Sequence, residues 1–250
     1  MINWFNAYRV FTSKAYRVVL DILSGLACCM TVLVTDIIHR TLSDPNGQVY
    51  IESNSSINAP EYISLMVIAG VLAIIIIFAD YFAFAGLAAR NVGGMNYLRS
   101  SSYGAEMIDK AVIGDWIHNI IRTFIAIPLA SIVTTSVVNG KCTLLTIFTA
   151  LAVWGVMLMA IGASNLICRR FVRTLNIMVI FTYVGASIFY AGAVVAGLFI
   201  GGIGMVTLNP VFAIAATVVF VALSILLFML GRKDMIKGYK SGFEDKVGEK

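Results

Sequence analysis

The stretch ISLMVIAGVLAIIIIFADYFAFAGLAA, residues 63–89, contains one charged side chain, Asp80, and is followed at once by Arg90. A helix crosses the roughly 30 Å hydrocarbon core of a bilayer with about 20 apolar residues. This run therefore predicts a transmembrane helix with length to spare for tilt or protrusion. Five further stretches read the same way: about 18–38, 120–138, 144–167, 177–206 and 210–230. The whole chain agrees, with 60% hydrophobic and 12% charged residues among 250 and a mean hydropathy of +0.91. Soluble domains carry about a quarter charged residues.

The cations give the orientation. If both termini lie on one side, that side collects sixteen of the 18 Lys and Arg residues, and the other receives only Arg40 and Lys141. Such a bias is the positive-inside pattern of a multi-spanning protein. The expectation is an all-α integral membrane protein with six transmembrane helices, a single membrane domain over 1–250 and both termini cytoplasmic. Residues 231–250 form a cytoplasmic tail. The net charge of +5 arises from these flanks and is no sign of nucleic-acid binding. No cleavable signal peptide is expected, because 18–38 is too long and lacks an A-x-A-like exit.

Residues 1–17 are amphipathic at helical spacing. Trp4, Tyr8, Phe11, Ala15 and Val18 fall on one face, and Asn3, Asn6, Arg9, Ser13, Lys14 and Arg17 on the other. This pattern suits a helix lying in the membrane interface or a plain extension of the first span. Residues 39–62 read as an outer loop, with a turn at Asp44-Pro45-Asn46-Gly47 and a sequon at Asn54. The segment 90–119 is the longest inner connection. Pro128 in the third span predicts a kink. The apolar run 177–206 exceeds one straight crossing, so either a span with a re-entrant excursion or one strongly tilted helix accounts for it. Within it Ala193, Gly197 and Gly201 form a stripe of small residues suited to close helix contact, within the chain or between chains.

Catalytic constellations are absent from the sequence. His39 and His118 fall on opposite sides, Asp21, Asp36 and Asp80 form no metal-ligand set, and neither a G-x-S-x-G elbow nor a phosphate-binding G-x-x-x-x-G-K-[ST] loop occurs. Cys28, Cys29, Cys142 and Cys168 make no C-x-x-C pair and no disulfide framework. No metal site and no cofactor are expected in this chain. The intramembrane polar candidates for a pathway are Asp80, Asn165 and Asn209. A carboxylate at the depth of Asp80 costs roughly 2.5–3.5 kcal/mol on insertion scales, so it needs a partner. Arg122 and Arg17 are the candidates, and a gating role and a structural ion pair both fit. Asp21 is expected to pair with Arg17 along its own helix, while Asn165 and Asn176 are expected to hydrogen-bond between helices.

The inner segment between the second and third spans carries the most information. Arg99, Ser100, Ser101, Ser102, Tyr103, Gly104, Ala105, Glu106, Met107 and Asp109 run from a basic entry through a Ser/Gly turn into acid-led helical spacing. Ser102 is placed to cap a short helix lying across the inner face, and a plain loop with a solvated helix fits equally. Leu98-Arg99-Ser100-Ser101-Ser102-Tyr103-Gly104-Ala105-Glu106-Met107-Ile108 resembles the coupling segment of permease subunits of the type-2 ATP-binding-cassette (ABC-2) superfamily. That segment reads roughly L-R-[ST]-L-P-[IV]-[ST] before a Glu-containing helix; Ser101 and Ser102 stand where Leu-Pro is common. Asn209-Pro210 and the glycine-rich end of 177–206 are similar to the family as well.

The resemblance implies a membrane subunit of an exporter. A separate ATP-binding-cassette ATPase would carry ATP and Mg, a second permease chain would complete the pathway, and the residues around Ser100 to Asp109 would transmit motion. Small permeases of this kind export antimicrobial or toxin peptides, phenol-soluble modulins among them, or give immunity to such peptides. A bacterial plasma membrane and a peptide or amphiphilic cargo are then expected. Two rivals remain open: a small-molecule-binding module of an energy-coupling-factor importer, and an intramembrane enzyme.

Overall fold

The computed structural model describes residues 3–43, 59–88, 101–139, 142, 144–171, 185–192 and 210–244. Every regular element among them is helical. In chain order these are α1 (Trp4–Phe11), α2 (Lys14–Ser43), α3 (Ala59–Ala88), α4 (Gly104–Phe124), a π-helical turn (Ile125–Leu129), α5 (Ala130–Asn139), α6 (Leu144–Phe171), a short helix over 185–192 and α7 (Pro210–Glu244). Among the described residues five helical stretches are long and apolar enough to cross a membrane: Lys14–Ile38, Tyr62–Asp80, Gly104–Val138, Thr146–Leu166 and Ala213–Asp234. The expected fifth span, 177–206, lies outside the described residues except for the helix over 185–192. So do Ala193, Gly197, Gly201, Asn176 and Asn209.

Local chemistry divides the N-terminal amphipathic run into two elements. The Asn3 side chain caps α1 by accepting from the Phe5 N–H at 3.3 Å. At the other end the Thr12 N–H and hydroxyl both donate to the Tyr8 carbonyl, at 3.0 and 2.7 Å. Ser13 then restarts the helix, its hydroxyl accepting from the Tyr16 N–H at 3.0 Å, which is the geometry of an N-cap. Ala15 and Val18 thus belong to α2, not to the N-terminal helix.

A second difference concerns the third span. The sequence places its start near Ile120, but the helix begins at Gly104 and runs without a break through Val138, 35 residues. At 1.5 Å per residue it is about 50 Å long, well beyond the hydrocarbon core. Among the described residues of the inner connection no separate short helix lies across the face: residues 104–119 extend the span itself. Pro128 sits inside the π turn rather than at a simple kink. Proline leaves the carbonyl four residues earlier without its donor, and a local i→i+5 pattern re-pairs the backbone, as in the bond from the Ala130 N–H to the Ile125 carbonyl.

The core runs through α3, α6 and α7 and the faces of α2 and the π turn that meet them. Leu20, Leu65, Leu72, Ile76, Ile127, Val153, Met157 and Phe220 all belong to it. The other faces of α2 and α7 remain apolar and uncovered: Val18, Ile22, Leu26, Met30, Leu33 and Ile37 on α2 are all exposed, as are Val218, Leu226 and Met229 on α7. In water such continuous apolar surface is a liability; against acyl chains it is the required exterior. The regular elements of the described residues are all helical, and the protein is membrane-embedded.

Helices α6 and α7 approach closely at glycines. A Cβ at Gly155 would lie 3.1 Å from the Phe220 Cβ, and one at Gly162 would lie 3.3 Å from both the Leu227 Cβ and the Ser224 carbonyl. Gly162→Leu is therefore expected to lower stability by about 1–3 kcal/mol through overpacking. Gly25→Leu, on the open face of α2 with nothing within 4 Å, should leave the unfolding midpoint in detergent unchanged. Equal midpoints for the two variants would refute the close approach.

Candidate functional site

A buried polar cluster joins four helices at the level where α4 enters the core. Asp80 of α3 and Asp115 of α4 are 3% and 2% exposed. Both carboxylates use the same two donors. The Asn119 amide donates to the Asp80 Oδ1 at 3.2 Å and to the Asp115 Oδ2 at 3.0 Å. The Tyr16 hydroxyl of α2 lies 3.3 Å from the Asp80 Oδ1 and 3.4 Å from the Asp115 Oδ1, so its one proton serves one carboxylate at a time. Asn165 of α6 completes the Asp80 shell, donating to Oδ2 at 2.8 Å. Hydrogen bonds to an ionised acceptor contribute about 1.5–3 kcal/mol each, enough together to offset the insertion cost of Asp80.

The arginine plays a different part from the one expected. Among the described residues Asp80 is held by neutral donors, not by Arg122 or Arg17. Arg17 donates to the Thr12 carbonyl at 3.1 Å. Arg122 donates through Nε to Asp21 at 2.6 Å and through Nη1 to the Asn119 Oδ1 at 3.4 Å and the Tyr8 hydroxyl at 3.5 Å. Asp21 thus pairs across to α4 instead of with Arg17 on its own helix. This fixes the Asn119 amide: its oxygen faces the guanidinium and its nitrogen faces the two carboxylates.

The half of α4 before the cluster is braced from two sides. Helix α1 lies on it, with Ala7 buried against Ile108, Ala111 and Val112 and Tyr8 buried beside Gly114. The His118 ring stacks on Tyr8 at 4.4 Å and on Phe5 at 5.9 Å, with Trp4 edge-on at 5.8 Å. Burial, and then the charge of Asp115, push the Tyr8 hydroxyl above its ordinary pKa, so it stays protonated in neutral solution. On the other side α7 supplies Phe228, stacked on Trp116 at 4.3 Å, and Arg232, which holds Asp109 through two parallel bonds, one of them 2.6 Å from Nη2 to Oδ2. Arg–carboxylate forks of this kind fix orientation as well as charge.

The expected coupling residues fall at the free end of this braced rod. Ser101, Ser102 and Tyr103 form the turn before α4, and Ser102 and Tyr103 are exposed. The N-cap is Tyr103, with no side-chain cap bond, so Ser102 does not cap the helix; the Gly104 N–H is held instead by the Ser101 carbonyl at 3.1 Å. Gly104 is buried, Ala105 and Met107 pack toward α1, and Glu106 is exposed in an ion pair with Lys110 at 2.6 Å. Asp109 is committed to Arg232. Arg99 and Ser100 lie outside the described residues. Of the pathway candidates, Asp80 and Asn165 are brought together, while Asn209 lies outside the described residues.

Asp115, Asn119 and Tyr16 are the site residues that the sequence reading missed. Their signal was available: Asp115, Asn119 and Arg122 stand at helical spacing on one face. Among the described residues no three His, Cys, Asp or Glu side chains come together as a metal site, and Cys28 and Cys29 are free thiols. Chemically the cluster is a junction: sliding any of its four helices past the others strips donors from a buried carboxylate. No family model, no curated protein and no solved structure matches the chain.

Proposed function

We propose that the chain is the membrane-spanning permease subunit of an ATP-driven exporter. It would cross a bacterial plasma membrane six times with both termini in the cytoplasm and work opposite a second permease chain. ATP and Mg would be bound by a separate ATP-binding-cassette ATPase docked on residues 99–109, and the cargo would be a peptide or an amphiphile. Besides the resemblance of Leu98 to Ile108, the observation that carries this reading is the unbroken helix from Gly104 into the span. Its projecting end presents Ser102, Tyr103 and Glu106, and its next turns are clamped by α1 and by Arg232. A push on that end is delivered, without an intervening loop, to the Asp80–Asp115–Asn119 junction. A motor shifts such a junction only through differential affinity for its two arrangements, and ATP closure in the partner supplies it.

Glu106→Ala tests this. The Glu106–Lys110 pair is a surface pair, worth about 0.3–0.5 kcal/mol on a helix, so the unfolding midpoint should not move. Cargo export per ATP hydrolysed, in proteoliposomes holding the permease with its ATPase, is expected to fall about tenfold, the equivalent of one 1.4 kcal/mol contact. An unchanged ratio would remove residues 99–109 from the coupling path.

A further inference from the structure

Arg40 is one of only two cations on the cation-poor side of the chain, and the ATPase-driven reading leaves it without a task. It stands at the rim of a groove of about 920 Å³ between α2 and α5, at the end of the bundle away from α1. Val32 and Leu33 of α2 and Val133 and Val137 of α5 form the walls, and all four are exposed. From Val32 to Arg40 the groove follows α2 for about 12 Å, inward from the helix end toward the bilayer interior. A groove of this length with apolar, exposed walls has room for part of an acyl chain.

The rim is polar in a specific way. The Arg40 Nε donates to the Asp36 Oδ1 at 2.8 Å. This leaves the two terminal guanidinium nitrogens and the Asp36 Oδ2 without partners among the described residues. The Arg40 side chain is 74% exposed and that of Asp36 29%. Two N–H groups in a fixed fork match a phosphate, and the free carboxylate oxygen beside them matches a primary ammonium. The cation and the anion sit one helical turn apart, on either side of Ile38, where the apolar stretch of α2 ends.

We infer that this groove is a binding site for a membrane phospholipid whose headgroup carries both a phosphate and a primary ammonium, an ethanolamine phospholipid. Its chain lies between α2 and α5, its phosphate meets Arg40, and its ammonium meets Asp36. A glycerol headgroup offers Asp36 no cation, and a choline headgroup has no N–H to donate. The site is independent of the exporter reading, since it needs neither the ATPase nor residues 99–109.

Retention of ethanolamine, glycerol and choline phospholipids of identical chains, by the purified full chain in detergent and read by native mass spectrometry, tests the assignment. Wild type should retain the ethanolamine lipid about tenfold better than the choline lipid. Arg40→Gln should bring all three to a common low level. Asp36→Asn should instead turn the preference toward the anionic glycerol lipid, because Arg40 is then unopposed. Val137→Trp, which fills the groove, should lower retention of all three with no change in unfolding midpoint. Equal retention of the three lipids by wild type, or an Arg40→Gln profile like that of wild type, would overturn the site.

Discussion

Asn119→Leu is expected to destabilise the protein by about 3–5 kcal/mol, the loss seen when a buried charge is stripped of its partner. The two side chains share the same branching at Cγ, so leucine keeps the shape of the amide while adding bulk. What is lost is one amide that donates to both Asp80 and Asp115 and accepts from Arg122. Leucine takes from Asp80 and Asp115, each almost wholly buried, the amide they share, while the Tyr16 hydroxyl still lies between them and Asn165 still serves Asp80 alone. The diagnostic result is non-additivity: Asn119→Leu combined with Asp115→Leu should be less damaging than Asn119→Leu alone, because the second change removes a buried carboxylate from which the first has taken a donor. Unfolding midpoints of the three variants in one detergent decide it. A loss below about 1 kcal/mol for Asn119→Leu, in the range of an ordinary neutral hydrogen bond, would mean that the cluster is not what ties the four helices together.

The second large effect is expected at Gly114. A Cβ there would lie 2.8 Å from the Tyr8 Cβ and 2.9 Å from the Trp4 carbonyl oxygen. One neighbour is a Cβ and the other is backbone, so neither can swing aside, and α1 has to leave as a body. Gly114→Val should therefore detach α1, break the Tyr8–His118 stack and release the Arg122–Tyr8 contact, while α2 to α7 keep their packing. Because opening is local, it is best read by local probes. Trypsin should cut after Arg9 at least about tenfold faster than in wild type, as expected when 1.4 kcal/mol or more of local protection is lost, and Trp4 should report a wetter environment. Cleavage at the wild-type rate would place α1 somewhere other than on α4.

The spans were legible because lipid demands one thing of sequence, a long apolar run, and residues 18–38, 63–89, 144–167 and 210–230 supply it plainly. The start of α4 was not legible for the complementary reason. Asp109, Lys110, Asp115 and His118 interrupt the apolar run that marks a span. Three of them take partners from distant elements: Asp109 pairs with Arg232 of α7, Asp115 with Tyr16 of α2, and His118 with the aromatic rings of α1. Asp80 could be picked out as a buried carboxylate, yet its partners could not. Looking for an opposite charge points to Arg122, whereas a carboxylate is equally well served by amides and a phenol, which carry no charge to betray them. The Asp21–Arg17 expectation failed similarly, since a helical neighbour loses to a guanidinium delivered by another helix at 2.6 Å.

The π turn at Ile125–Leu129 bears on which way the two halves of the long rod face. On an uninterrupted α-helix, at about 100° per residue, Ser131, Thr134 and Thr135 would sit on average about 110° around the axis from Asn119. One residue of slack, the usual content of a π turn, brings their average azimuth back to within about 15° of it. All three hydroxyl residues are buried, on the same azimuth as the amide that binds the carboxylates. Proline 128 thus acts as a phase corrector: it lets one helix keep a single polar meridian from the Asp115 level to its far end, where a regular helix would have turned half of that meridian toward hydrocarbon.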